Sequence, residues 1–255
     1  MFYLYAAPAV RMGALQHLQV IHVATHDSIG MGEDGPTHQP IELAALYRAM
    51  PNLLYIRPGD SEEVAGAWTL AIQSKNTPSI ISTSRHTLPQ LSPWTKREGV
   101  LKGGYVLQED EEAGLTLIGV GAELNLAVSL ARDLKERAGI RTRVVSMPCQ
   151  RLFDNQTREY RQSVLRRNLK RPIVVVEAYA ANGWERYANA AFCMSIDRFG
   201  QSLPGPVAYE YFGFTVEKMA EKMQRYLREL SVDPELMHEF QTFSEYEGKL
   251  IEERY

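Results

Sequence analysis

Residues 23–40 read VATHDSIGMGEDGPTHQP, a polar segment between two apolar stretches of different periodicity. The β-branched residues Val20, Ile21 and Val23 predict a short buried strand that leads into it. After it, residues 41–50 place apolar side chains at helical spacing, and Pro40 suits the first turn of a helix. The segment is therefore expected to join the carboxyl end of a strand to a helix, where open α/β sheets bind their ligands.

This segment concentrates groups that can move protons. It contains three glycines and the ionisable residues His26, Asp27, Glu33, Asp34 and His38. Imidazole is the side chain best suited to exchange protons near neutral pH. We favour an active-site loop over a tight turn whose histidines only satisfy neighbouring carbonyls, because ordering such a loop has an entropic cost. Zinc binding is a weaker alternative, since the two histidines lack the His-Glu-x-x-His spacing.

Composition sets broad limits on the class of protein. The chain has 255 residues, 45% hydrophobic and 23% charged, with a formal net charge of −3. This length gives room for one large or two modest domains, and this charge gives no argument for nucleic-acid binding. The cysteines, Cys149 and Cys193, lie far apart in apolar company, which is typical of free thiols in a reducing compartment. No run reaches transmembrane length, and the first residues lack the basic region of a secretory signal.

Strands that alternate with helices predict two α/β domains, each with a mostly parallel sheet. The Pro- and Gly-punctuated residues 91–104 are interpreted as a linker between domains at 1–90 and 105–230, and residues 231–255 as an acidic helical tail. Helices are predicted over residues 2–15, 41–50, 61–74, 124–138, 160–169, 183–192 and 215–230. Strands are predicted within residues 52–60, 79–84, 115–123, 142–148 and 172–180, and a strand or loop over 206–214.

The predicted strand at 79–84 ends directly before Arg85. Because parallel strands share their carboxyl edge, we expect His26, His38 and Arg85 to lie on one side of the sheet. A guanidinium there suits bidentate contact with a sugar phosphate. An ordinary surface salt bridge is the alternative interpretation.

The run VATHDSIGMGEDGPTHQPIE resembles the pyrimidine-binding domain of transketolases, thiamine-diphosphate enzymes that move two-carbon ketol units. The resemblance continues through RPGDSEEV, TPSIISTSRHTLPQL, KGGYVL and SIDRFGQS, up to about residue 230. It implies a partial pyrimidine-binding domain followed by a transketolase C-terminal α/β domain. Within the family, VVSMPCQRLFD, EYRQSVL and VVVEAYAANGWERYA look most like the dihydroxyacetone synthase (formaldehyde transketolase) branch.

The resemblance implies a role for each candidate residue. His38 and His26 would be catalytic, and both would bind substrate together with Asp34 and Arg85. The substrates implied are a ketose phosphate such as xylulose 5-phosphate and a small aldehyde, formaldehyde in the dihydroxyacetone synthase branch. Two further aromatic residues would pack around the pyrimidine ring of the cofactor; they are Phe2 and Tyr5.

The resemblance also implies thiamine diphosphate with Mg²⁺ or Ca²⁺, bound mainly by regions absent from this chain. The family's Gly-Asp-Gly diphosphate motif is missing, and Gly59-Asp-Ser departs from it. No metal site is therefore predicted within the chain. We expect it to act with an N-terminal transketolase portion or subunit, as a homodimer or heteromer. Cytoplasm is the default compartment. The peroxisome stays open as an alternative by resemblance, since some relatives carry a C-terminal peroxisomal signal, although none is seen here.

Other interpretations stay open at this stage. One alternative is a chain that has lost catalysis and serves as a binding or regulatory module, and another is a stand-alone hydrolase or metal enzyme. The Gly119-Val-Gly turn lacks the third glycine of a dinucleotide motif, which favours a plain strand–helix turn. The arginine-rich residues 158–171 are typical of a solvated helix face, with anion or partner binding as the weaker alternative. Glu177 is interpreted as a buried structural carboxylate.

Overall fold

The computed structural model of the chain describes residues 3–188, 192–238 and 241–242. The α-helices are α1 (Tyr3–Leu15), α2 (Leu43–Ala49), α3 (Ser61–Gln73), α4 (Arg97–Val100), α5 (Leu124–Ala138), α6 (Gln150–Asp154), α7 (Arg158–Leu165), α8 (Gly205–Tyr211) and α9 (Val216–Val232). The β-strands are β1 (Ile21–Asp27), β2 (Leu54–Ile56), β3 (Ser79–Ser84), β4 (Tyr105–Gln108), β5 (Leu115–Gly119), β6 (Thr142–Ser146), β7 (Ile173–Val176), β8 (Phe192–Met194) and β9 (Gln241–Thr242).

The first sheet has three parallel strands in the order β1-β3-β2. The central strand β3 confirms the prediction for residues 79–84. β1 lies at the edge, and its residue Val23 remains 46% exposed, so the prediction of a buried strand is wrong. β-Branched residues fit a half-exposed pleated strand as well as a buried one, which is why the pattern did not separate the two cases. β1 also extends to Asp27, so His26 belongs to the strand and not to the loop after it.

The second sheet has six strands in the order β4-β6-β5-β7-β8-β9. β4 is antiparallel to β6 and the other neighbours are parallel, which confirms a mostly parallel sheet. Helix α5 has the predicted bounds, and Gly139 ends it in the left-handed conformation with a φ of 65°. Helix α9 is capped by Thr215, whose side chain accepts a hydrogen bond from the backbone N–H of Lys218.

Two predicted elements are wrong. Of the helix expected over 183–192, the described residues 183–188 contain one 3₁₀ turn at Trp184–Arg186, and residue 192 begins β8. The indole N–H of Trp184 donates to Glu177 (2.6 Å) and holds the chain in this turn. The strand or loop expected over 206–214 contains helix α8, which starts at the Pro-Gly-Pro sequence 204–206. Proline in the first turn of a helix lacks only an N–H that has no partner there, so it starts this helix well.

Three further expectations need adjustment. The predicted linker contains α4, which packs against α3, so these residues do not form an extended tether. On α3, where helical spacing places Trp68 on the apolar face, this side chain is 40% exposed, whereas Glu63 is buried on the face that meets the second sheet. In the predicted tail, α9 continues to Val232 and a 3₁₀ turn follows at Pro234–His238; beyond this, only the backbone of β9 is described. No helix in the described ranges is long and apolar enough to cross a membrane.

A buried ion network joins the two sheets at their carboxyl ends. Its centre is Arg57, which follows β2 and has a fully buried side chain. The guanidinium donates through Nε to Asp27 of β1 (2.7 Å), through Nη2 to Glu123 (2.8 Å) and through Nη1 to Glu177 (2.6 Å). Asp27 belongs to the first sheet, and the two glutamates follow β5 and β7 of the second. One side chain therefore holds groups from both sheets.

Further donors complete this network. The guanidinium of Arg48 on α2 pairs with Glu177 through two hydrogen bonds of 2.8 and 2.6 Å. Burial raises the pKa of Glu177, but the charge and hydrogen bonds of Arg48, with help from Arg57, outweigh it and bring this pKa to about 2. The hydroxyl of Tyr179 donates to Asp27 (2.6 Å), and its ring lies 3.9 Å from the Arg57 guanidinium carbon. Glu177 and Asp27 thus each accept hydrogen bonds from a side chain other than Arg57.

Outside this network, the buried carboxylate of Glu63 also connects the half of the chain that forms the first sheet to the half that forms the second. It accepts hydrogen bonds from Tyr105 of β4 (2.7 Å), from Ser146 of β6 (2.5 Å) and from the backbone N–H of Gly59 (2.7 Å). Burial raises its pKa and the hydrogen bonds oppose this shift. Each hydroxyl comes from the second sheet, whereas Glu63 sits on the helix that follows β2.

We expect Arg57→Leu to lower the free energy of unfolding by about 3–5 kcal/mol, because it leaves three buried carboxylates without their shared cation. Urea denaturation of the purified chain measures this loss. The control Arg97→Leu breaks an exposed pair with Glu62 and should barely move the midpoint. Equal midpoints for the two variants would contradict a central role for Arg57.

Candidate functional site

The candidate site begins with unusual backbone geometry at the end of β1. His26 and Ser28 both have a φ of 70°, in the left-handed region that non-glycine residues seldom adopt. Such conformations persist only where surrounding contacts hold them, and they are frequent at functional sites. They turn the chain out of the strand and into the loop of residues 28–40.

Two histidines and a carboxylate meet where β1 ends and the loop begins, with His26 on the strand and the other two residues on the loop. The Nε2 atom of His26 lies 3.7 Å from Oδ2 of Asp34. The rings of His26 and His38 have centroids 5.7 Å apart and are tilted by 47°. Each Nδ1 is paired with the hydroxyl of the preceding threonine, at 2.8 Å from Thr25 and 2.9 Å from Thr37. Each imidazole thus has its Nδ1 held by a neighbouring hydroxyl, and three of the predicted site residues form one cluster.

The electrostatic environment favours neutral His26. Partial burial lowers its pKa, the nearby Asp34 carboxylate opposes this by raising it, and the charges of His38 and Arg85 lower it further. A lowered pKa leaves the imidazole uncharged at neutral pH and therefore able to accept a proton.

Arg85 directly follows β3, as predicted, and its side chain is exposed. Its charge acts on His26, so the guanidinium lies within electrostatic reach of the histidine cluster. An exposed guanidinium beside two imidazoles can receive an anionic group of a ligand.

Residues of the second half of the chain form hydrogen bonds with the loop of residues 28–40. Ser28 and Tyr209 donate hydroxyl hydrogen bonds to the buried Oε1 of Glu123, and the Tyr209 contact measures 2.8 Å. Further along, the amide of Gln39 donates to the backbone oxygens of Ile29 (3.3 Å) and Gln201 (3.1 Å). These contacts attach both ends of the loop to the second half of the chain.

His86 packs directly on the loop. A Cβ at Gly30 would lie 2.5 Å from Cε1 of His86 and 2.8 Å from the ring of Tyr209, so only glycine permits this approach. The sequence prediction included neither side chain. Their partners lie far away along the chain, and a glycine within a glycine-rich loop gave no separate signal for them.

A small aromatic cavity opens beside His26. It measures about 150 Å³ and is bounded on one side by Tyr3, Tyr47 and Tyr55. The rings of Tyr47 and Tyr55 stack at 6.1 Å, and burial raises the pKa of Tyr47 to about 12. The phenols near His26 therefore stay protonated and act as hydrogen-bond donors.

The two residues predicted to contact a cofactor ring are Phe2 and Tyr5. Phe2 lies outside the described residues, and Tyr5 on α1 is 84% exposed. An exposed ring is available for stacking by another group. In the ranges that the structure describes, no group of three or more His, Cys, Asp or Glu side chains is arranged to hold a metal ion.

Comparison with known proteins relates this geometry to a family. The model described as the transketolase pyrimidine-binding domain matches residues 1–90, and that of the transketolase-like C-terminal domain matches residues 103–215. The dihydroxyacetone synthase of Candida boidinii is 52% identical over 240 residues, which cover 94% of this chain and 33% of that protein.

Two solved structures of transketolases are also similar to this chain. A transketolase from Leishmania mexicana is 46% identical with a TM-score of 0.83, over 89% of this chain and 33% of that one. A transketolase from Pichia stipitis, in complex with sedoheptulose-7-phosphate, is 41% identical with a TM-score of 0.85, over 91% of this chain and 33% of that one. The chain thus spans about a third of the length of these relatives.

We expect Asp34→Asn to lower the pKa of His26 further, because it removes the charge that raises this pKa. Titration of the histidine ring protons by NMR measures the shift. The control Asp110→Asn alters a carboxylate that pairs with Arg141 and should leave His26 unchanged. A His26 pKa that is unchanged or raised in the Asp34 variant would contradict the pairing.

Proposed function

The chain belongs to the transketolase family, and we propose on this premise that it supplies the substrate-binding rim of a thiamine-diphosphate-dependent ketol transferase. The proposal rests chiefly on one observation: His26 at the end of β1 meets Asp34 and His38 of the following loop, within electrostatic reach of Arg85. The reaction class is transfer of a two-carbon ketol group from a ketose phosphate such as xylulose 5-phosphate to an aldehyde. Because the chain spans about a third of its relatives, the activity belongs to an assembly with the remaining polypeptide.

The residues have distinct proposed roles. His38 contacts the ketol oxygens of the donor and moves a proton there, and His26 shares this task as a neutral imidazole. Asp34 accepts a hydrogen bond from a hydroxyl beside the reacting carbon. Arg85 holds the phosphate of the donor through its guanidinium fork.

Thiamine diphosphate supplies the carbanion chemistry when it is bound. The exposed ring of Tyr5 fits a stacking role against its pyrimidine ring, with Phe2 as the second proposed contact. We propose that the diphosphate and its Mg²⁺ or Ca²⁺ are held by the N-terminal transketolase portion, in a homodimeric or heteromeric enzyme, since Gly59-Asp-Ser departs from the family's Gly-Asp-Gly motif.

Formaldehyde is the proposed acceptor, which gives dihydroxyacetone. The relative named dihydroxyacetone synthase is 52% identical to this chain, compared with 48% for transketolase 1 of Saccharomyces cerevisiae. This difference is small, so the acceptor must be measured directly. The comparison is the ratio of kcat/KM for formaldehyde to kcat/KM for an aldose phosphate. A ratio below that of a sugar-phosphate transketolase would contradict the formaldehyde assignment.

The decisive assay combines the chain with a polypeptide that carries the diphosphate and metal sites, in the presence of thiamine diphosphate and Mg²⁺. Ketol transfer is expected only when both parts are present. A complex that forms without any activity would favour the alternative of a binding or regulatory module.

We expect His38→Ala in the assembled enzyme to lower kcat by about 10²–10⁴-fold, because a positioned proton-transfer group is lost. The dissociation constant of the cofactor should change little. The matched control is His238→Ala, which removes an exposed imidazole from the turn after α9. Unchanged turnover in His38→Ala would remove this residue from the chemistry.

Arg85→Ala should raise the KM for phosphorylated donors by about 10- to 100-fold, because charge-assisted hydrogen bonds to phosphate are lost. Steady-state kinetics with a phosphorylated and a non-phosphorylated ketose separate this effect from a general defect. Arg228→Ala, on the exposed side of α9, controls for loss of surface charge. An equal loss with both donors would argue against a phosphate contact.

A further inference from the structure

We propose that the second domain carries a separate anion site, for a compact phosphorylated ligand, in a pocket beside α7. The pocket has a volume of about 360 Å³ and is lined by four arginines and one carboxylate. The arginines are Arg158, Arg161, Arg167 and Arg186, and the carboxylate is Asp154. The site does not depend on the function proposed above.

The four guanidinium groups reach the pocket from three separate elements. Arg158 and Arg161 are three residues apart on α7, so they share one face of that helix. Arg167 belongs to the 3₁₀ turn at Arg167–Leu169, and Arg186 to the turn at Trp184–Arg186 after β7. A solvated helix face, the interpretation favoured from sequence, accounts for the first pair and not for the other two.

Hydrogen bonds to the backbone hold two of these side chains in place. Arg161 donates through Nη1 to the backbone oxygen of Asp154 (3.2 Å). Arg167 donates through Nη1 to the backbone oxygen of Arg186 (2.9 Å). A carbonyl group orients a guanidinium without neutralising it, so the positive charge of both remains available.

Charge compensation in the pocket is incomplete. The Asp154 carboxylate already binds Nη2 of Arg186 (3.0 Å) and the hydroxyl of Tyr187 (2.9 Å). Four cations against one carboxylate leave a local excess of three positive charges, in a chain whose formal net charge is −3. Like charges on one concave surface repel each other, and an anion with two or more charges relieves this repulsion.

The shape of the pocket favours a small ligand over an extended one. Its volume lies near the lower end of the range of about 300–1,000 Å³ for small-molecule sites. Guanidinium forks match the geometry of phosphate oxygens, which accept two parallel hydrogen bonds. A pyrophosphate or a phosphorylated small metabolite therefore fits both the size and the charge.

Isothermal titration calorimetry of the full chain with inorganic pyrophosphate tests the site directly. Saturable binding is expected, and Arg158→Gln should weaken it by about 10-fold or more through loss of a charge-assisted contact. Within the described part of the chain the side chain of Arg158 makes no hydrogen bond or ion pair with the protein. This variant should therefore keep the thermal unfolding midpoint of the unmodified chain.

The control Arg132→Gln removes the same charge from an exposed position on α5. It should bind pyrophosphate as the unmodified chain does. No saturable binding, an equal loss in both variants, or equally tight binding of sulfate at matched ionic strength would each overturn the proposal.

Discussion

The buried guanidinium of Arg57 is the contact on which the rest of this structure depends. It donates to carboxylates that come from three different strand ends and from both sheets. Burial of charged groups is unfavourable unless every member has partners. Here Arg48, Tyr179 and Trp184 supply these partners, so the arrangement of the two sheets is tied to one geometry.

This constraint extends to the candidate site through adjacent residues. Asp27 is fixed by Arg57, and its neighbours His26 and Ser28 take the left-handed backbone conformation. Glu123 contacts both Arg57 and the hydroxyl of Ser28, so the same network supports the start of the loop. The end of β1 and the loop after it thus present the two imidazoles from a rigid base, which the proposed proton transfer requires.

Sequence patterns were sufficient where the information is local. His26, Asp34 and His38 lie close together in the sequence, so their clustering followed from composition, and the position of Arg85 followed from the parallel-strand rule. The supporting residues could not be predicted in this way. Ser28 meets Glu123 across 95 residues and Tyr209 across 181, and no periodicity encodes such pairings.

The errors in the predicted elements also arise where the tertiary structure, and not the local sequence pattern, decides the outcome. The turn at Trp184–Arg186 depends on a hydrogen bond to Glu177, a tertiary contact that overrides the helical pattern of the segment. The exposure of β1 depends on its place at the sheet edge, which β-branched residues alone do not indicate. The sequence did not indicate that Glu63 is buried, because a glutamate near the start of a helix is typical of an exposed cap.

Native-state hydrogen exchange tests the central claim, that the network makes the two halves one cooperative unit. Two of the backbone amides that bridge the halves donate to backbone oxygens: Arg57 N–H to Pro148 (2.9 Å) and Ala180 N–H to Ile41 (2.9 Å). Both should exchange only through global unfolding, with the same opening free energy as the amide of Ile118 in the central strand β5. Exchange of these bridging amides through a lower-energy opening, while Ile118 stays protected, would contradict it.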